Sequence, residues 1–243
     1  MIEENVKMIL AGLPPDVLLV AAAKARTADE IKRAINAGVS IIGENYLQEA
    51  EAAYAAIGRR VSWHFIGYLQ RNKVKKAVRI FDMIETVDSL RLAVKLDEEC
   101  AKLGKVISVL VEVNSGLESQ KTGVFPQEVE GLVNKLASMK NLKVEGLMTM
   151  GPRSGEPEEA RPYFRETKRL FDRLQNLPNA RMRYLSMGMS NTYQIAIEEG
   201  ANIVRVGTKL FAKRLQLGEK NGAGKANDTT RAKGTTGKTG AAD

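Results

Sequence analysis

The feature that most constrains the fold is the alternation of short apolar, β-branched runs with longer amphipathic runs along the chain. This alternation is typical of βα units, in which each strand of a parallel sheet is followed by a crossover helix. The strand candidates cover residues 17–23, 39–42, 62–66, 83–86, 106–113, 143–148, 183–185 and 202–206. Eight such units in a row favour a single closed (β/α)8 TIM barrel over an open doubly wound sheet, which is the alternative.

Helix signals lie between the predicted strands. Thr27 and Glu30 have the spacing of a capping box, in which each side chain satisfies a free backbone N–H of the other residue. Pro126 suits the first position of a helix, and Gly104 suits a helix end. Two apolar stripes at helical spacing are expected to be buried: Val129, Leu132, Val133 and Leu136, and Leu92, Leu96, Cys100 and Leu103.

The composition excludes several classes of protein. The chain has one cysteine and one histidine, so it has no intramolecular disulfide and no zinc site built from several Cys and His ligands. Its longest apolar stretch, residues 17–23, is far shorter than the ~20 residues that cross a bilayer. The N-terminus lacks the pattern of a secretory signal. We therefore expect a cytoplasmic protein that does not associate with a membrane.

The basic net charge of +8 raises the alternative of a nucleic-acid-binding barrel that uses Lys73, Lys75 and Lys76. Most basic residues are interspersed with acidic ones, as on solvated helix faces, and the aromatic content of 5% offers few surfaces for stacking bases. We therefore expect no nucleic-acid partner. Residues 218–243 are rich in Gly, Lys, Thr and Ala and are expected to form a disordered tail, which leaves residues 1–217 as the barrel domain.

Polar residues directly follow several predicted strands, at the face where barrels place their functional groups. Lys24 follows the first strand; a lysine that emerges from an apolar strand loses hydration, which frees its amine as a nucleophile toward aldehydes, although a surface lysine is the alternative. Asn45 follows the second strand and is also suited to cap the next helix together with Gln48. His64, flanked by apolar residues, is expected to be packed and hydrogen-bonded.

Two further segments combine small residues, hydroxyl groups and a helix N-terminus. Residues 186–191 (Ser-Met-Gly-Met-Ser-Asn) follow the seventh strand, and residues 205–208 (Arg-Val-Gly-Thr) close the eighth. Backbone N–H groups in such segments can point at an anion. Because the loops after strands seven and eight of a barrel often form a phosphate site, the two segments together predict one here.

Several motifs resemble those of the pyridoxal phosphate homeostasis proteins, also called the YggS/PROSC family. The matching stretches are spread in order over about residues 17–211. They are residues 21–24 (AAAK), 43–50 (GENYLQEA), 63–73 (WHFIGYLQRNK), 113–114 (VN), 146–148 (GLM), 185–190 (LSMGMS) and 204–208 (VRVGT). Two departures concern contacts beside the cofactor ring: Ala23 stands where the family often has Ser, and Tyr68 where it often has His.

The resemblance implies a barrel like the N-terminal domain of alanine racemase that binds pyridoxal 5′-phosphate. It assigns the Schiff base to Lys24, the pyridine nitrogen to Arg205 and a place near the ring to Asn45. The residues implied for the phosphate are Ser190, Gly207 and Thr208, and those implied as weaker pocket walls are Ser186 and Met148.

The resemblance also implies what the protein does with the cofactor. A permanent cation at the pyridine nitrogen weakens the ring as an electron sink. Relatives of this fold that racemise amino acids add a tyrosine from a second domain, for which this chain has no room. We therefore expect a monomeric carrier without strong catalytic activity, which takes part in intracellular homeostasis of the cofactor and supplies it to apo-enzymes. The alternative is an amino-acid racemase that uses His64 or Tyr68 as the opposing base.

Overall fold

The predicted strands form a closed parallel barrel in a computed structural model that describes residues 1–152, 156–177 and 180–212. The strands are β1 (Leu18–Ala22), β2 (Ile41–Glu44), β3 (Ser62–Phe65), β4 (Met83–Val87), β5 (Ile107–Glu112), β6 (Leu142–Met148), β7 (Tyr184–Ser186) and β8 (Ile203–Val206). Neighbours in sequence are neighbours in the sheet, and β8 pairs with β1 to close it. The predicted (β/α)8 barrel is therefore confirmed.

Helices follow the strands and surround the barrel. In the described ranges they are α1 (Ile2–Ala11), α2 (Ala28–Asn36), α3 (Leu47–Ile57), α4 (Val74–Ile80), α5 (Leu90–Ala101), α6 (Val129–Ala137), α7 (Arg161–Arg173), α8 (Tyr193–Glu198) and α9 (Thr208–Phe211). Short 3-10 helices lie at Gly58–Arg60, Arg71–Lys73, Pro126–Glu128, Pro157–Ala160 and Leu174–Asn176. Helix α1 precedes β1 and packs against α2 and α9.

Because successive side chains of a strand point to opposite faces, the strands of the barrel contribute to apolar regions on both of its faces. One region lies between the barrel and the helices and includes Trp63, Phe65 and Ile84. Smaller clusters lie inside the barrel, one with Val20, Ile41, Ile66 and Ile203 and one with Met83, Leu110 and Met148. Two positions beyond Met83 on β4 and two positions beyond Ile203 on β8, toward the carboxyl ends of these strands, the residues share this interior face and are polar.

The predicted helix signals are largely confirmed. Thr27 and Glu30 form the capping box of α2, and the predicted stripe of α6 is buried. Leu103 was predicted to join the buried stripe of α5, but it is 41% exposed. The helix ends at Ala101, and Gly104 with a φ of 58° then reverses the chain, so Leu103 lies off the helix axis.

The second strand begins two residues later than predicted. Val39 is buried, but its N–H donates to the carbonyl of Ala34 (3.1 Å), so it still belongs to the turn that ends α2. Asn45 lies between the end of β2 and the cap position of α3. The residue before α3 is Tyr46, and no side chain caps this helix, so the prediction that Asn45 caps it is wrong.

In the part of the chain that the structure describes, no helix combines the length and the apolar character that crossing a bilayer requires. The cytoplasmic location stays a prediction. The predicted tail, residues 218–243, lies outside the described residues, so that prediction and the domain boundary at residue 217 are untested.

Candidate functional site

A cavity of about 490 Å³ opens at the carboxyl ends of β1, β2 and β8. Parallel strands of a closed barrel present their following loops at one face, so residues distant in sequence meet there. Six of the eight predicted site residues line this cavity: Lys24, Asn45, Ser190, Arg205, Gly207 and Thr208. The structure therefore brings together the ends of strands one, two, seven and eight, as the motifs predicted.

The other two predicted residues lie deeper in the barrel. Met148 is fully buried against Met83 and Leu110. Ser186 is also fully buried, and its hydroxyl oxygen lies 2.5 Å from Nη1 of Arg205. Neither side chain lines the cavity. Ser186 is connected to the cavity by its hydrogen bond with Arg205, which does line it.

Lys24 stands two residues after the end of β1, where the chain leaves the barrel. The N–H of Ala23 still donates to the carbonyl of Gly43 (2.9 Å), so the backbone is held in the sheet up to the residue before the lysine. Lys24 itself is exposed, and the prediction that it loses its hydration is wrong. Its amine is therefore accessible from solvent at the edge of the cavity.

The turn after Lys24 is fixed by a residue that the sequence analysis missed. Ala25 has a φ of 58°, which is an unusual conformation for a residue with a side chain. Its N–H donates to Oε2 of Glu49 (2.8 Å), in the first turn of α3. Glu49 thus ties the turn that carries the lysine to the helix that follows β2. A glutamate in the first turn of a helix was too ordinary a signal to single it out.

Glu44, at the end of β2, is buried beside this turn. Its Oε2 has no hydrogen-bond partner among the described residues. Burial, with a smaller contribution from the charge of Glu49, raises the pKa of the Glu44 carboxyl to about 8. A raised folded-state pKa means that the fold favours the protonated acid.

This shift predicts a pH-dependent stability that Glu44→Gln removes. The contribution of Glu44 is fully present below the ordinary carboxyl value of 4.5 and is lost as the pH rises through about 8. We expect the unfolding free energy of the wild type, relative to Glu44→Gln, to fall by ~4 kcal/mol between pH 4.5 and 9. Urea unfolding of both proteins across this range measures the difference, and a difference independent of pH contradicts the prediction.

The loops after β7 and β8 are joined by Ser190. Its hydroxyl oxygen accepts from the backbone N–H groups of Gly207 (3.3 Å) and Lys209 (3.3 Å). A Cβ atom at Gly207 would lie 3.0 Å from the carbonyl oxygen of Ala22, so a larger residue there would press on the end of β1. The hydroxyl of Ser190 and the N–H groups at the start of α9 thus form a compact group of donors at one end of the cavity.

Arg205 lies at the cavity floor and is 3% exposed. Its Nη2 donates to the carbonyl of Thr149 (2.8 Å). Burial lowers the pKa of the guanidinium, while the charges of Glu85 and Glu112 oppose that effect, and the group remains a cation because arginine does not deprotonate in proteins. The cavity therefore has a fixed positive charge that can only donate hydrogen bonds.

A second cavity of about 250 Å³ lies over the ends of β3 to β6 and adjoins the first. Five residues line both cavities: Asn45, Ile66, Met150, Pro152 and Met189. The backbone of Asn45 packs closely on Gly67, where an added Cβ would lie 2.2 Å from the carbonyl oxygen of Asn45. The second cavity contains Glu112, another residue that the sequence analysis missed. Burial raises the pKa of its carboxyl, and the hydroxyl of Thr122 donates to it (2.7 Å).

His64, predicted to be packed and hydrogen-bonded, is confirmed as both: it is 5% exposed, and its Nδ1 lies 2.7 Å from Oε1 of Glu85. Tyr68 is 61% exposed and lines the second cavity. Neither lines the cavity of Lys24. No group of His, Cys, Asp and Glu residues in the described ranges is arranged to hold a metal ion.

Comparison with known proteins gives one consistent result. Residues 1–214 match the family model described as the N-terminal domain of alanine racemase. The chain is 42% identical over 197 residues to the pyridoxal phosphate homeostasis protein of Aquifex aeolicus, which covers 81% of this chain and 86% of that protein. It is 38% identical over 209 residues to the protein of the same name from Synechocystis, with coverage of 85% and 96%.

Solved structures agree. PipY of Synechococcus elongatus, in a structure with pyridoxal phosphate (PLP) bound, is 34% identical with a TM-score of 0.81, over 87% of this chain and all of that one. An alanine racemase of Clostridium difficile has a TM-score of 0.74 at 18% identity, and the match covers 86% of this chain and 58% of that one. The racemase is therefore similar in fold alone.

Proposed function

The chain belongs to the family of pyridoxal phosphate homeostasis proteins, which have the fold of the alanine racemase N-terminal domain, and on this basis we propose that it binds PLP and takes part in its homeostasis. The observation that carries the proposal is the meeting of Lys24, Arg205 and the Ser190 donors in one cavity. These three groups match the three reactive parts of the cofactor: an aldehyde, a pyridine nitrogen and a phosphate.

Each contact follows from the chemistry of the residue. The amine of Lys24 adds to the aldehyde carbon and water leaves, which holds the cofactor as a Schiff base. The hydroxyls of Ser190 and Thr208 donate to the phosphate oxygens, and the phosphate replaces the Ser190 oxygen as the acceptor for the N–H groups of Gly207 and Lys209. The Nε–H of Arg205 has no acceptor among the described residues and donates to the pyridine nitrogen. Asn45 lies beside the ring.

We infer a carrier rather than an enzyme. When bound, the cofactor supplies electron-withdrawing chemistry at the carbon of an attached amine. Racemisation also needs a base on the opposite side from the lysine, and the two candidates do not line this cavity: His64 is bound to Glu85, and Tyr68 faces the second cavity. The protein then masks the reactive aldehyde and, as a monomer, releases the cofactor to apo-enzymes.

One of the three lysines proposed for a nucleic-acid-binding barrel already has an acidic partner. Lys76 is engaged in a salt bridge with Glu51 (2.9 Å). The absence of a nucleic-acid partner stays a prediction.

The carrier and racemase functions differ in hydrogen exchange at the amino-acid α-carbon. We expect the PLP-loaded protein, incubated with L-alanine in D2O, to incorporate deuterium no faster than free PLP at the same concentration. Mass spectrometry of the recovered alanine measures the incorporation, and chiral chromatography detects D-alanine. Exchange with many turnovers per protein molecule contradicts the carrier function and supports a racemase.

A further inference from the structure

Four buried polar side chains form a chain of contacts across the interior of the barrel. They are His64 on β3, Glu85 on β4, Ser186 on β7 and Arg205 on β8, and each is at most 5% exposed. Nδ1 of His64 lies 2.7 Å from Oε1 of Glu85, the hydroxyl of Ser186 donates to Oε2 of Glu85 (2.6 Å), and Nη1 of Arg205 donates to the hydroxyl of Ser186 (2.5 Å). We call these four residues the interior network.

The direction of the hydrogen bonds follows from the chemistry of the groups. Arginine can only donate, so the hydroxyl of Ser186 accepts a hydrogen bond from Arg205 and donates one to Glu85. Burial alone raises the pKa of the Glu85 carboxyl, but His64, the charge of Arg205 and Ser186 together lower it below its ordinary value. Glu85 is therefore an anion, and it compensates the cation of Arg205 at a distance of 3.9 Å.

The interior network leaves one part of the guanidinium for a ligand. Nη1 of Arg205 is bound to Ser186, and Nη2 is bound to the carbonyl of Thr149 and lies near the sulfur of Met150. Within the described ranges, Nε–H has no protein acceptor, and Arg205 lines the Lys24 cavity. The contacts thus fix the plane of the guanidinium from its two Nη atoms.

We propose that Glu85 is a positioning residue for the cofactor: it acts through Ser186 to hold Arg205 with Nε–H available to the pyridine nitrogen, and His64 holds Glu85 from the other side. This inference rests on the proposed function. Glu85 on β4 lies outside the cavity and does not contact the cofactor, yet it affects how the pyridine ring is bound.

The test compares Ser186→Ala, Glu85→Gln and the double variant with the wild type. Glu145→Gln is the matched control, because Glu145 is also a buried carboxyl on a barrel strand but pairs with Lys143 (2.6 Å). For each protein we measure the dissociation constant of PLP, the absorbance band of bound PLP as a function of pH and the thermal unfolding of the unliganded form.

Ser186→Ala and Glu85→Gln are each expected to weaken PLP binding by about tenfold and to shift the pH profile of the band, because the guanidinium loses its orientation. If Glu85 acts through Ser186, the second substitution adds no further loss. The PLP dissociation constant of the double variant then equals the larger of the two constants of the single variants. Glu145→Gln is expected to retain the affinity and pH profile of the wild type. If Glu85→Gln does not fold, Ser186→Ala decides the question, because it keeps both charges.

Wild-type affinity and an unchanged pH profile in Ser186→Ala overturn the inference, even if unfolding occurs at a lower temperature. Additive losses in the double variant also overturn it, because they mean that Glu85 and Ser186 act separately. If the wild type itself binds no PLP, the proposed function fails, which is a different outcome from unchanged binding in the variants.

Discussion

Replacing Arg205 by leucine is expected to lower the free energy of unfolding of the unliganded protein by about 3–5 kcal/mol. The variant leaves the carboxylate of Glu85, which is 0% exposed, without the cation 3.9 Å away. It also removes the donor to Ser186 and the donor to the carbonyl of Thr149. A buried charge without its partner is among the few causes of destabilisation this large.

The matched control is Arg169→Leu, which removes an exposed arginine that pairs with Glu166 (3.0 Å). Exposed pairs of this kind contribute little to stability because water and salt screen them, so we expect a small change. Urea unfolding at neutral pH measures both variants. Equal unfolding free energies for Arg205→Leu and Arg169→Leu would mean that the buried charges do not stabilise each other.

Lys24→Ala is expected to abolish the absorbance band of the Schiff base and to weaken PLP binding by ~100-fold or more, equivalent to about 2.7 kcal/mol. The phosphate donors at Ser190 and Gly207 and the guanidinium of Arg205 remain, so some noncovalent binding is expected to persist. Because Lys24 is exposed and does not belong to the buried core, the variant is expected to fold like the wild type.

Two control variants separate the amine from the charge. Lys24→Arg keeps a cation but cannot form the Schiff base, and it is expected to lack the band. Lys209→Ala removes a nearby lysine whose side chain lies over the ring of Tyr193, and it is expected to keep the band. A Lys24→Ala protein that retains the band would show that another amine holds the cofactor.

The sequence predicts the architecture well because each βα unit has its own local pattern. All eight strands were located, since an apolar, β-branched run followed by an amphipathic run is visible within about 25 residues. Errors occurred where tertiary context decides the boundary. Val39 looks like the start of a strand, but its N–H completes the turn of α2, and Leu103 fits a helical stripe that ends before it.

Part of the candidate site could be predicted from the position of its residues directly after strands. Lys24 and Asn45 could be placed because strand ends meet at one face of a barrel, whereas Arg205, which lies inside β8, was assigned by the family resemblance. Glu85 was missed because its partner Ser186 is 101 residues away in sequence, and periodicity gives no sign of a contact across the barrel. One signal was present: a glutamate inside the apolar run 83–87, since a buried carboxylate requires partners.

The central claim is that Lys24 holds PLP covalently, and borohydride reduction of the PLP-loaded protein tests it most directly. Reduction converts the Schiff base to a stable secondary amine, and peptide mass spectrometry then locates the modified lysine. We predict one modified site, Lys24, with the visible band lost on reduction. Modification of other lysines with Lys24 unmodified, or no modification at all, would contradict the account.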